Sequence, residues 1–117
     1  MSENIDCPII AFEDFTKVQM CVGTIIDAKL NEKAVKPAYV LSIDFGHLGI
    51  KTSSAQIVEH YTPEELVGQQ IIAVMNFLPK KVAGIKSAVL VLACVSAEKG
   101  TVLLKPTMTV PNGCRIL

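Results

Sequence analysis

The chain has 117 residues, enough for one domain with a core of its own. Half of them are hydrophobic and 19% are charged, which argues against a disordered chain. Eleven basic and eleven acidic residues give a formal net charge of zero, without the basic surplus of strong non-specific nucleic-acid binders. The balance is uneven along the chain. Residues 1–14 carry Glu3, Asp6, Glu13 and Asp14 and no Lys or Arg, whereas residues 66–97 carry three Lys and no acid. The start has no basic stretch followed by a long apolar run, so no signal peptide is expected. The longest apolar run, Ala88 to Val95, is too short to span a membrane as a helix.

The first predicted strand runs from Val18 to Leu30. Val18, Met20, Val22, Ile26 and Leu30 recur at period two against Gln19, Gly23, Asp27 and Lys29. Gly23, in mid-strand, marks an expected bend or bulge. A polar loop, Asn31 to Pro37, holds Lys33 and Lys36. The second strand alternates Tyr39, Leu41, Ile43 and Phe45 against Val40, Ser42 and Asp44, with the first set expected in the core. Gly46 and Gly49 bracket a turn into a third strand ending near Ser53 and Ser54. Thr62-Pro63-Glu64-Glu65 then reads as a helix start: N-cap, proline at the first turn and capping-box Glu. Gly68 stops the helix after one to two turns. A fourth strand, Gln69 to Asn76, and a fifth, Ala88 to Val95, enclose a basic loop. Glu98-Lys99-Gly100 turns into Thr101 to Lys105, and Pro111-Asn112-Gly113 turns into a last segment, Cys114 to Leu117. Five strands with one short helix after the third predict an all-β chain: a five-stranded barrel of the oligonucleotide/oligosaccharide-binding (OB) type with short terminal extensions. A small sandwich is the alternative.

The basic loop carries Lys80, Lys81 and Lys86 with Asn76, Phe77 and Ser87, and no His, Cys, Asp or Glu. Cations on a loop held by a rigid strand are the layout of a binding surface; ordinary solvated charge is the competing reading, because surface is where lysine usually lies. Lys33, Lys36 and Lys51 could converge on the same barrel face. Phe77 beside Pro79 is a candidate apolar contact, while Tyr39 lies in a core alternation. Ser53, Ser54 and Gln56 form a polar run at the end of the third strand, serving either as local caps or as ligand contacts. With no Trp, four Phe and two Tyr, the chain is poor in stacking platforms for single-stranded nucleic acid. A peptide groove needs fewer aromatics.

No catalytic constellation stands out. His47 and His60 are isolated and no metal-ligand spacing occurs. No G-x-S-x-G elbow and no phosphate-loop frame is present. Cys7, Cys21, Cys94 and Cys114 lack regular spacing, as in a reduced protein; Cys21 and Cys94 are expected to pack in strands as small hydrophobes. No enzyme activity, cofactor or metal site is expected.

Several stretches resemble a known family. Phe15-Thr16-Lys17-Val18-Gln19-Met20-Cys21-Val22-Gly23-Thr24-Ile25 resembles the opening of the tRNA-binding OB domains, which are appended to some methionyl- and phenylalanyl-tRNA synthetases and also occur free-standing. The family usually has Arg where this chain has Cys21. Lys36-Pro37-Ala38-Tyr39, Ile43-Asp44-Phe45-Gly46, Ser53-Ser54-Ala55-Gln56-Ile57, Tyr61-Thr62-Pro63-Glu64-Glu65-Leu66 and residues 76–92 resemble the CsaA-like group of export-related chaperones within it. The resemblance implies one domain over residues 1–117 with its core at about 12–117. It further implies a cytoplasmic homodimer that binds unfolded or precursor polypeptides and assists protein export through contact with the export ATPase. The wider family implies tRNA (RNA) binding.

Overall fold

The structure, a computed structural model, describes residues 7–117; Glu3 and Asp6 of the acid-rich start lie outside the described residues. Its elements are α1 (Phe12–Thr16), β1 (Met20–Leu30), β2 (Tyr39–Asp44), a 3-10 turn (Gly46–Leu48), β3 (Ile50–Ala55), α2 (Pro63–Leu66), β4 (Gln70–Val74), β5 (Lys80–Val82), β6 (Ile85–Ser87), β7 (Leu90–Val91), β8 (Ala93–Ser96) and β9 (Gly100–Leu103). Five antiparallel strands in the order β3-β2-β1-β4-β7 curl into a nearly closed OB-type barrel. The barrel closes because β1 is long enough to pair twice. Its first half pairs with β4 and its second with β2, and Thr24 is in register with both Gln70 and Asp44. The remaining seam, between β3 and the β6–β7 segment, is held by Ala88 N donating to Thr52 O (2.8 Å) and by Ser54 N donating to Ser87 Oγ (3.1 Å).

The predicted inward set of β2 is the core. Tyr39, Leu41, Ile43 and Phe45 are all buried, with Ile25, Leu66 and Ile71. The Tyr39 hydroxyl reaches the Tyr61 carbonyl at 2.6 Å, so its polar end is satisfied. Fully burying a side chain such as Phe45 contributes about 1.5–3 kcal/mol. Phe45 fits because Gly23 has no side chain. A Cβ there would lie 2.6 Å from the Phe45 ring and 2.7 Å from Ile43 Cγ2. α2 starts as its sequence requires: Thr62 Oγ1 accepts from Glu65 N (3.2 Å) and Glu65 Oε1 accepts from Thr62 N (2.9 Å), with Pro63 at the first helical position. This single turn pushes Leu66 into the barrel, where it is fully buried.

Four expectations need correction. Gly23 stays in register with Ile71, and the irregularity of β1 falls instead between Ile25 and Asp27. That extra residue reverses the parity of the strand, so Ile25 and Ala28 both face inward while Ile26 is exposed; Leu30, on the same side as Ala28, is exposed because the strand ends there. Val18 lies outside β1, behind α1, a helix the alternation does not announce. The predicted fifth strand is broken. Leu90–Val91 completes the barrel, then the chain leaves it as the separate hairpin β8–β9. Cys94 is therefore exposed, unlike Cys21. Burial pushes the Cys21 thiol up from its ordinary range; nearby Arg115 opposes this and Cys114 adds to it.

Replacing Gly23 by Ala forces the Phe45 ring to move in a filled core. Gly23→Ala is expected to cost about 2 kcal/mol or more, read as a lower urea midpoint with an unchanged slope.

Candidate functional site

The basic segment is a hairpin, not a loop. β5 and β6 pair with Lys80 opposite Ser87, Lys81 opposite Lys86 and Val82 opposite Ile85. The two-residue turn, Ala83-Gly84, has φ of 48° and 83°, the left-handed pair that a type I′ turn requires. Gly84 takes this conformation without penalty; Ala83 does so at a cost of about 1 kcal/mol. The turn is tied to the β1–β2 loop, where Asn31 Nδ2 donates to Ala83 O at 3.4 Å. Lys33 lies over the tip: a Cβ on Gly84 would be 3.3 Å from its Cδ and 3.8 Å from its Nζ. Lys33, Lys81 and Lys86 thus gather at one hairpin. Directly opposed like charges are unfavourable across a strand pair, and the arrangement is relieved when an anion sits between them.

Beside the hairpin lies a groove made of two connected recesses. One, of about 370 Å³, is mainly apolar, with Phe77, Leu78, Val82, Val89 and Leu90 as its walls and Lys80, Ser54 and Ser87 at its rim. The other, of about 430 Å³, is lined by Val35, Lys36, Gln56 and Ala83. Ser54 and Val82 line both, so the two recesses adjoin on either side of these residues. No Asp or Glu lines it. The hairpin has two faces. Lys80 and Val82 look into the groove, whereas Lys81 and Lys86 are exposed.

Of the residues singled out from sequence, Lys36, Ser54, Gln56, Phe77, Lys80 and Ser87 line this groove, and Lys33, Lys81 and Lys86 surround its tip. Three lie elsewhere. Ser53 is buried opposite Leu41 and its hydroxyl donates to Ser54 O at 3.3 Å. Lys51 is half-buried opposite Ile43, on the inward parity of β3. Asn76 brackets the chain before β1: its Oδ1 accepts from Gln19 N (2.9 Å) and its Nδ2 donates to Lys17 O (2.6 Å). Sequence reasoning missed Val35, Leu78, Val82 and Leu90. Leu78, 93% exposed beside the 55% exposed Phe77, could have been found from two large apolar residues abutting Pro79 in a loop.

A second cleft, of about 330 Å³, lies under residues 105–109 beside Thr24, Gln69 and Gln70. Two of its polar side chains, Gln70 and Thr24, are already engaged. Gln70 bonds both the nitrogen and the carbonyl of Val110, and Thr24 Oγ1 donates to Asn112 Oδ1 at 2.7 Å. These bonds tie the C-terminal segment to the barrel.

The sequence pattern described as "Putative tRNA binding domain" matches residues 20–115. The chain belongs to this tRNA-binding domain family. The crystal structure of chaperone CsaA from Bacillus anthracis superposes with a TM-score of 0.90 at 51% identity, covering 94% of this chain and all of that one. That of the CsaA chaperone from Picrophilus torridus does so with a TM-score of 0.87 at 43% identity, covering 93% of this chain and all of that one. The methionine–tRNA ligase of Flavobacterium johnsoniae is 33% identical over 108 residues, 92% of this chain. The chain spans only 15% of that ligase's length. Cys21, where the resemblance implies Arg, is buried, forms an isolated backbone β-bridge with Arg115 and lines neither recess.

Lys81→Glu places opposite charges across the hairpin. Fold stability is expected to stay level or rise by up to about 0.5 kcal/mol, while affinity for tRNA falls. Thermal melts and a filter-binding titration check the two halves.

Proposed function

We propose that this protein is a non-catalytic, CsaA-like chaperone that holds unfolded or precursor polypeptides in the groove beside the β5–β6 hairpin. The observation that carries this reading is the groove's lining: an apolar recess open to solvent, rimmed by lysines and hydroxyls. Such a surface binds by burial of apolar side chains, at about 25 cal/mol per Å². Among the described residues, no three His, Cys, Asp or Glu come together as metal ligands. No helix among them is long and apolar enough to cross a membrane. A cytoplasmic role in protein export, in contact with the export ATPase, belongs to the same reading and rests on the likeness to the CsaA chaperones.

The reading includes a homodimer. Ile9, Ile10 and Phe12 are exposed near one end of the chain and Leu117 at the other. Arg115 Nη2 donates to Thr16 O at 3.3 Å, so the C-terminal segment lies against α1. Exposed apolar residues at both ends thus form a surface that a second copy would cover. Light scattering at micromolar concentration is expected to give twice the chain mass; a monomer mass would remove this part of the proposal.

A tRNA-binding module acting in trans is the second reading, favoured by the opposed Lys81 and Lys86 and by the family. Salt separates the two. Phosphate contacts release counterions, so log affinity for tRNA should fall with log salt by about 0.7–0.9 per phosphate neutralised. An unfolded precursor held by apolar burial should keep most of its affinity over the same range. Tight tRNA binding at physiological salt with no affinity for an unfolded precursor would reverse the assignment.

A further inference from the structure

The groove's charge and its apolar recess sit side by side, and together they specify more than a hydrophobic ligand. Lys80 lines the recess that holds Phe77, Leu78 and Leu90, and Lys36 lines the connected recess beyond Ser54 and Val82. Lys33, Lys81 and Lys86 stand around the adjoining tip. Among the described residues the one ion pair is Lys17 with Asp14, so no described carboxylate neutralises any of these five cations. An extended chain sends successive side chains to opposite sides, so residues next to an anchored one meet the rim and not the recess. A carboxylate there meets Lys80 or Lys36, and an ammonium meets the same two charges, with Lys81 and Lys86 on the hairpin's other face.

We infer that the groove selects extended segments in which a large apolar residue is flanked by acidic ones, and discriminates against the same residue flanked by Lys or Arg. This deepens the polypeptide-binding reading and rests on it. A peptide fits better than a nucleic acid because the groove offers a single aromatic, Phe77, among aliphatic walls, where a base-stacking surface needs several rings. Selection of this kind works chiefly through wrong partners: an acidic flank gains modest ion pairs, and a basic flank faces repulsion with no carboxylate among the described lining residues to offset it.

The test uses the intact protein and three short peptides labelled with a net-neutral dye. All share one Leu-Phe-Leu centre; the flanks are Glu, Gln or Lys. Fluorescence anisotropy at low salt should rank them Glu, Gln, Lys, with the Glu peptide about tenfold tighter than the Lys peptide. At about 0.3 M salt that gap should narrow while the Gln peptide changes little. In a Lys36→Gln, Lys80→Gln variant with an unchanged circular dichroism spectrum, the gap should shrink to about threefold or less. Equal affinities for the three peptides, or tighter binding of the Lys peptide, would overturn the selection and leave polypeptide binding standing. Failure of all three to bind, while tRNA binds, would overturn both.

Discussion

The contact on which the molecule depends is the Phe45 ring lying against the bare backbone of Gly23. β1 must pair with β4 along its first half and with β2 along its second, and the changeover falls at Gly23 and Thr24. Gly23 faces the interior there, and any side chain on it would fill the space that Phe45 occupies. Removing the side chain at one strand admits a large one from the next. Ile25, Ile43 and Ile71 then pack fully buried around the same interior, and α2 adds Leu66.

The groove follows from how this barrel is finished. Four strands leave β3 with an open edge, and the β6–β7 segment reaches it through one backbone bond and one serine hydroxyl, not a full ladder. A seam made this way leaves a recess on each side of Ser54 and Val82. Phe77 and Leu78 wall one of them, and Lys36 and Gln56 line the other. The hairpin itself carries strain of two kinds, Ala83 in a left-handed turn and Lys81 facing Lys86. Neither helps the fold, and both set cations on a short rigid arm beside the recesses. Local conflicts of this sort are expected where a surface serves binding.

Much of the fold is legible in the sequence because single physical rules act there without competition. Tyr39 to Phe45 alternates through a strand with one face buried, and Thr62 to Glu65 carries every residue of a capping box. The rest hid where rules compete. Ile25 and Ile26 are both apolar, so the pattern cannot tell which of them the bulge turns outward. The hairpin lacks the usual Asn-Gly or Asp-Gly signal, and its paired lysines look like solvated loop. Ala88 to Val95 reads as one buried strand, yet it divides between the barrel and an outer hairpin. α1 is five residues long and starts at Ala11, which has no side-chain oxygen to cap it; Asp14 Oδ2 accepts from the Ala11 nitrogen instead, at 3.0 Å. For the site, the lysines and Phe77 are conspicuous by type, whereas Ser53 and Asn76 bond backbone groups, a use the sequence cannot separate from ligand contact because hydroxyl and amide groups serve both. Val82 and Leu90 carry no chemical signal at all; only the closing of the seam makes them walls.

The central claim is that ligands enter the recesses beside Ser54 and Val82. The most direct measurement is an amide NMR titration of the labelled protein with an unfolded precursor segment. The account predicts shifts concentrated at Lys36, Ser54, Gln56, Phe77, Lys80, Val82 and Ser87. Shifts confined to Gln69, Lys105 and Thr107, with those groove amides unmoved, would contradict it.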